Sequence, residues 1–203
     1  AERYELEIAT DPAFSSILYS RIVAGTSHDV DTGLESATQH YWRVRPLNAC
    51  GAGEYAASAH FTTQEMICLT PNVAIPDNSP SGLDSSIALS SSDVLSDLDV
   101  LFRAEHSWSG DLIVTLTHEA SATEVTLLRR PGRGSSGYGC SGHNPHLVFD
   151  DAEPTRRAQD DCVGSDPAYV PGATYQPFEA LAAFNGLALA GTWTLNVSDN
   201  AQG

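Results

Sequence analysis

Hydrophobic and polar residues alternate with a period of two along most of this chain. Tyr4, Leu6 and Ile8 alternate with Glu5 and Glu7, which predicts a half-buried strand that turns its acids outward. His40, Trp42 and Val44 alternate in the same way with Tyr41, Arg43 and Arg45. Further strands are predicted over Asp99–Glu105, Leu112–Thr117, Glu124–Leu128 and Thr192–Val197. Clusters of Gly, Pro, Asn and Ser separate them, among them Pro76–Gly82 and Pro131–Gly137. One short stretch, Pro177–Phe184, reads as helix-like. Many short strands between frequent turn signals predict an all-β protein of sandwich or barrel type. Trp42 and Trp193 sit in strands between polar neighbours and are expected in cores. The pattern breaks at Met66–Pro76, so two domains are expected, over residues 1–65 and 77–203, joined by a linker over 66–76.

Charge narrows the possible partners. The 203 residues carry 26 Asp and Glu against 10 basic residues, for a net charge of -16. All the basic residues are arginine. Residues 1–70 hold nine acids and four arginines, and residues 71–203 hold seventeen acids and six arginines. A chain this acidic lacks the basic face that neutralises nucleic-acid phosphates, and it does not suit an anionic membrane surface. No apolar run approaches the ~18 residues of a membrane span. With 41% hydrophobic residues it has enough apolar surface for a core, unlike a disordered acidic tail.

The four cysteines are Cys50, Cys68, Cys140 and Cys162. None forms a C-x-x-C pair, which removes zinc-ribbon and thioredoxin readings. Four cysteines allow three connectivities, and the sequence does not choose among them. Pairing neighbours, Cys50 with Cys68 and Cys140 with Cys162, keeps each bridge within one expected domain. Four free thiols are the alternative.

Two family resemblances organise the rest. Residues 1–64 resemble part of a fibronectin type III domain. The resemblance is carried by Tyr4–Phe14, Gly33-Leu34, Tyr41-Trp42-Arg43-Val44-Arg45, Asn48–Gly53 and Phe61-Thr62-Thr63. On this resemblance the chain starts at the third strand of the family, and His40 stands where the family has the tyrosine of its tyrosine corner. His40 is therefore expected to be partly buried and to make the corner hydrogen bond.

Residues 75–203 resemble the P domain, or Homo B domain, of proprotein convertases and of many secreted bacterial proteases. The carrying residues are Ile75–Gly82, Glu105-His106-Ser107-Trp108-Ser109-Gly110-Asp111-Leu112, Tyr138–Asn144, Phe149–Ala152, Leu181–Gly186 and Gly191–Asn200. The sequence departs from the family at Leu116–Glu119, where a Ser-Pro-x-Gly-Thr hairpin is common, and it stops before the family's last strand. The expected fold is thus a partial fibronectin type III sandwich followed by a jelly-roll-like P domain. The resemblance supports a Cys140–Cys162 pairing. It implies a non-catalytic accessory region of a secreted bacterial protease, of subtilisin/kexin-like serine type or metalloprotease type. Its partner would be the catalytic domain of the parent chain, with a neighbouring copy as a second partner through exposed sandwich edges.

Catalytic signatures are missing. Gly139-Cys140-Ser141-Gly142-His143 fails the Gly-x-Ser-x-Gly pattern at its last position, and His118-Glu119-Ala120-Ser121-Ala122 fails His-Glu-x-x-His. Carboxylates are the better lead. Asp97, Asp99, Asp111, Asp150, Asp151 and Asp199 fall at predicted strand ends or in loops, where adjacent acids suit calcium, a hard cation that takes six to eight oxygens. The P-domain resemblance also implies structural calcium. Asp29-Val30-Asp31-Thr32-Gly33 lacks the spacing of a calcium loop and is expected to be a plain connection. Trp108 is a candidate binding residue, an aromatic anchor in the His106–Leu112 block. His106 is expected to pack and hydrogen-bond beside Asp111. Two rival readings remain: an adhesion or ligand-binding module, and an enzyme using His106 and Asp111.

Overall fold

The computed structural model describes residues 3–28, 30, 33–63, 66–134 and 137–202. Asp29, Asp31 and Thr32 of the weak calcium-loop pattern, and Ser135 and Ser136 of the second turn cluster, lie outside the described residues. The chain divides into two compact units, Ala1–Cys68 and Leu69–Gly203. Both are β structures, with no α-helix among the described residues. No helix there is long and apolar enough to cross a membrane.

The smaller unit is one antiparallel sheet. Its strands are β1 (Arg3–Ala9), β2 (Ile17–Val23), β3 (Gln39–Asn48), β4 (Gly51–Ala52) and β5 (Ala59–Thr62). The order is β2-β1-β3, with β4 and β5 both pairing to β3. Asp11 turns the chain from β1 into β2 by accepting the backbone N–H groups of Ala13, Ser15 and Ser16.

The two faces of this sheet differ in chemistry. On one, Glu5 lies opposite Arg45 and Glu7 opposite Arg43. The pairs close at 2.5 Å for Arg45–Glu5 and 2.7 Å for Arg43–Glu7. The Tyr55 ring stacks on both guanidinium groups, and Phe14 stacks on Arg43. Glu7 is consequently buried rather than turned outward. Strand alternation assigned it to the polar face correctly, but the arginine and aromatic cover on that face excludes water. The other face is apolar, a groove of about 520 Å³ lined by Tyr4, Leu6, Ile8, Trp42, Val44 and Phe61 among others. Among the described residues no second sheet covers it. Trp42 is therefore 38% exposed and not a core residue. His40 is fully buried, stacked near Phe61, with Nε2 3.3 Å from the Glu35 carbonyl. The expected hydrogen bond to an upstream carbonyl is present, and the ring is more deeply buried than expected.

In the larger unit the strands are β6 (Ser79–Leu89), β7 (Val100–Arg103), β8 (Leu112–His118), β9 (Thr123–Arg129), β10 (His146–Phe149), β11 (Thr174–Tyr175) and β12 (Gly191–Asp199). One sheet has the order β6-β12-β8-β9 and a second the order β11-β10-β7. Among the described strands only the β10–β11 pair is parallel, and an isolated parallel bridge joins Arg157 and Gln176. Both sheets feed one core. Leu112, Val114 and Leu116 from β8 meet Phe102, Leu147 and Phe149 from the smaller sheet, with Phe184 and Trp193. Trp193 is 7% exposed, as expected of a core residue, and lies between His118 and Phe184 at 4.5 and 5.1 Å.

Two local expectations change. Pro76–Gly82 is not simply a turn, because β6 starts at Ser79. Pro80 is tolerated there because β6 is an edge strand, where a missing N–H costs no ladder bond. Gly82 has φ +66, and a Cβ there would lie 2.7 Å from the Val197 carbonyl oxygen, so only glycine fits the crossing. The helix-like stretch at Pro177–Phe184 contains only a 3-10 turn at Leu181–Phe184. Its first residues run along β9 instead, with Phe178 N–H on the Leu127 carbonyl and Glu179 N–H on that of Thr126.

The Cys140–Cys162 disulfide is formed. The Cys50–Cys68 bridge is not, and both thiols are free and exposed. Cys50 sits in the β3–β4 turn and Cys68 on the exposed segment after β5, where no ladder holds two sulfurs in disulfide geometry. Two thiols per native chain should therefore react promptly with Ellman's reagent, and none reacting would restore the second bridge. Replacing both Cys140 and Cys162 with serine opens a loop of 22 residues. It should lower urea-unfolding stability by about 3 kcal/mol.

Candidate functional site

Buried ionisable groups in the larger unit concentrate where β12 ends. The 3-10 turn Ser109–Asp111 lies against the disulfide loop, with Ser109 N–H on the Gly142 carbonyl and Gly110 N–H on the Cys140 carbonyl. A Cβ on Gly110 would lie 2.4 Å from the Cys140 nitrogen, so this turn can approach the loop only with glycine. That contact explains the Gly-Asp-Leu block: Gly110 permits the approach, Asp111 takes the charge partner and Leu112 enters the core.

Asp199 pairs in register with Leu112, and the Asn200 N–H donates to the Asp111 carbonyl. Both carboxylates are thus held side by side and buried. Asp111 Oδ1 accepts Arg130 Nη2 at 3.2 Å. His106 Nε2 lies 3.4 Å from Asp199 Oδ2. That is ion-pair range, but the alignment gives no hydrogen bond. Burial, and then the Asp199 charge, raise the Asp111 carboxyl above the usual aspartate range, while Arg130 and His106 pull it back. His106 thus lies in ion-pair range of Asp199 and acts on Asp111 through its charge. The Ser109 hydroxyl is buried beside them without a partner.

The six aspartates marked from sequence fall into two groups. Asp111 and Asp199 belong to the cluster above. Asp97, Asp99, Asp150 and Asp151 influence one another elsewhere in the unit. Burial comes first, then repulsion from Asp150, Asp97 and Asp151, in raising the Asp99 carboxyl. Three of these four already serve the backbone. Asp97 accepts the Leu98 N–H, Asp150 the Ala152 N–H, and Asp151 the Leu181 and Ala182 N–H groups that start the second 3-10 turn. Among the described residues no group of three or more His, Cys, Asp or Glu is arranged to hold a metal ion.

Trp108 is 37% exposed and donates its indole N–H to the Tyr138 carbonyl, while the Tyr138 side chain is 81% exposed. The two aromatics lie together at the surface, Trp108 on the loop that carries His106 and Tyr138 on the segment before Cys140.

Sequence reading missed one nucleophile–base pair. His118 Nδ1 lies 2.9 Å from Ser121 Oγ, and its Nε2 faces the Ala190 carbonyl at 3.0 Å. Only three residues separate the pair, which lies across the β8–β9 turn. The serine is also within 2.9 Å of Thr123 Oγ1. Ser121 and His118 line neither the groove of the smaller unit nor the cleft beside Arg129. The contact closes the β8–β9 hairpin.

Glu153 is the other carboxylate missed. It gathers the backbone N–H groups of Thr155 and Arg156 on Oε1, and Arg156 Nη2 and the Thr174 hydroxyl on Oε2. These bonds hold its carboxyl at about 2.

No protein-family model and no curated protein matches the chain. Among solved structures, Streptomyces avermitilis α-L-rhamnosidase complexed with L-rhamnose is similar at a TM-score of 0.28 and 13% identity. That match covers 99% of this chain and 18% of the rhamnosidase, so the chain spans under a fifth of that protein's length. A TM-score this low carries no argument about fold or activity.

Two carboxylates should show opposite acid responses. Glu153 is depressed from 4.5 to about 2, so its stabilisation is full above 4.5 and fades as pH falls through about 2. Glu153→Gln should lower the melting temperature at pH 7, by less and less across that window. Asp99 is raised by burial and neighbouring acids, so its charge opposes folding at neutral pH. Asp99→Asn should raise the melting temperature at pH 7, and the gain should vanish in acid. Melting curves of both variants from pH 7 to pH 2 measure this.

Proposed function

We propose that this chain is a non-catalytic accessory region of a secreted bacterial protease, a fibronectin-type III-like sheet followed by a P-domain-like sandwich. Its role is to pack against the catalytic domain and stabilise it. The observation that carries this reading is the apolar sheet face around Trp42, Tyr4, Leu6 and Phe61. An apolar groove open to water at Trp42 suits the apolar surface of a partner. The polar groups that come together are consistent with the same role. His106, Asp111, Asp199 and Arg130 join the turn at Ser109–Asp111 to the end of β12, and the backbone of that turn bonds to the disulfide loop. His118 and Ser121 close a hairpin. Calcium would act structurally at the acidic end near Asp99, where a divalent cation relieves the carboxylate repulsion. The disulfide is compatible with an oxidising, extracellular setting.

A ligand-binding or adhesion module is the second reading, favoured by the open Trp108–Tyr138 patch.

The purified chain should leave casein intact. Clear hydrolysis that His106→Ala abolishes would overturn the accessory reading. Millimolar calcium should raise the melting temperature by a few degrees over EDTA. An unchanged melting temperature would remove calcium from the account.

A further inference from the structure

Three of the ten arginines converge on one cleft in the larger unit. It is open to solvent, has a volume of about 520 Å³ and is lined by Ile113, Arg129, Arg130, Arg133, Phe178 and Asn200. Local backbone geometry brings the arginines together. Leu127 is an extra residue in the β8–β9 ladder, since Val114 pairs with Leu128 and Thr115 with Thr126. This bulge lets Leu127 and Leu128 both enter the core and turns Arg129 outward opposite Ile113. Arg130 then adopts φ +48, a left-handed conformation uncommon outside glycine. Regular strand alternation would send two consecutive side chains to opposite faces. Here both line the same cleft, and the turn beyond adds Arg133.

The charges there are not balanced. Arg130 is committed to Asp111 and to the Gly110 carbonyl. Arg129 stacks on Phe178 at 5.6 Å, and Gln159 fixes its backbone from both sides. Arg133 donates Nε to the Gly137 carbonyl. Among the described residues no ion pair engages Arg129 or Arg133. Glu179, the acid that feels Arg129, gives its carboxylate to the Thr126 N–H at 2.7 Å. Two guanidinium groups without a direct ion-pair partner thus face one cleft in a chain of net charge -16. An entering anion would relieve their repulsion.

We propose that this cleft binds a small organic oxyanion, a phosphate or carboxylate carried on an apolar body. Arg129 and Arg133 grip the oxygens, since guanidinium forks match paired oxygens in geometry. Phe178 and Ile113 receive the apolar part. The volume falls in the range of small-molecule sites. The chain's overall negative field repels extended polyanions and so favours a compact ligand.

The test is calorimetric titration of the full chain with phenyl phosphate, benzoate and inorganic phosphate, each at fixed ionic strength. The proposal expects saturable binding of phenyl phosphate or benzoate, and which of the two binds more tightly identifies the anionic group. Arg129→Gln and Arg133→Gln should each weaken that binding about tenfold. Phe178→Ala should weaken the aromatic ligands and leave inorganic phosphate unchanged. No saturable binding, or binding unchanged in the double arginine variant, would overturn it. If the double variant does not fold, protection of the wild-type chain from phenylglyoxal decides. The ligand should shield Arg129 and Arg133 but not Arg103, and equal modification of all three with and without ligand would refute the site.

Discussion

The larger unit depends on the register of β12. This strand is central in its sheet, with β6 on one side and β8 on the other. A one-residue slip would turn every side chain to the opposite face. At one end the register puts Trp193 between His118 and Phe184. At the other it sets Asp199 against Leu112, and so beside Asp111 and His106. Core and charge cluster are two ends of one constraint. Burying Trp193 supplies apolar free energy, and the same register holds two buried carboxylates close enough to repel. Arg130 and His106 then offset that repulsion, and Gly110 lets the turn that carries Asp111 approach the backbone of Cys140.

The smaller unit is organised differently. Its polar face is closed by Arg43, Arg45, Glu5, Glu7 and Tyr55, which neutralise and cover one another. Its apolar face keeps Trp42 partly in water. The order is the reverse of a surface sheet's usual one, in which the charged face meets solvent and the apolar face meets a core. The asymmetry explains why the accessory reading rests on this face and not on any polar constellation in the larger unit.

Strands with clear alternation were legible in the sequence. Leu112–Thr117 and Thr192–Val197 lie within β8 and β12. β6 was not, because Pro80 and Gly82 are turn residues by local chemistry and are tolerated only at a sheet edge that sequence does not display. Glu7 and Trp42 had their faces assigned correctly and their burial reversed, because burial depends on what covers a face. The Cys140–Cys162 bridge lay within reach of neighbour pairing, whereas Cys68 fell on a segment without strand partners. The grouping of the aspartates was not legible, because it arises from contacts between residues far apart in the chain. The arginine cleft had a local signal, Arg129-Arg130-Pro131-Gly132-Arg133 in an acidic chain. Its convergence depends on a bulge and a left-handed residue that no periodicity reveals.

Native-state hydrogen exchange along β12 tests the central role of its register most directly. The amides of Trp193, Leu195 and Val197 should exchange only through global unfolding, with the same denaturant dependence as the whole unit. Asp199→Asn should leave that pattern intact and loosen only the end of the strand. Exchange of all three amides through a local opening well below the global unfolding free energy would contradict the account.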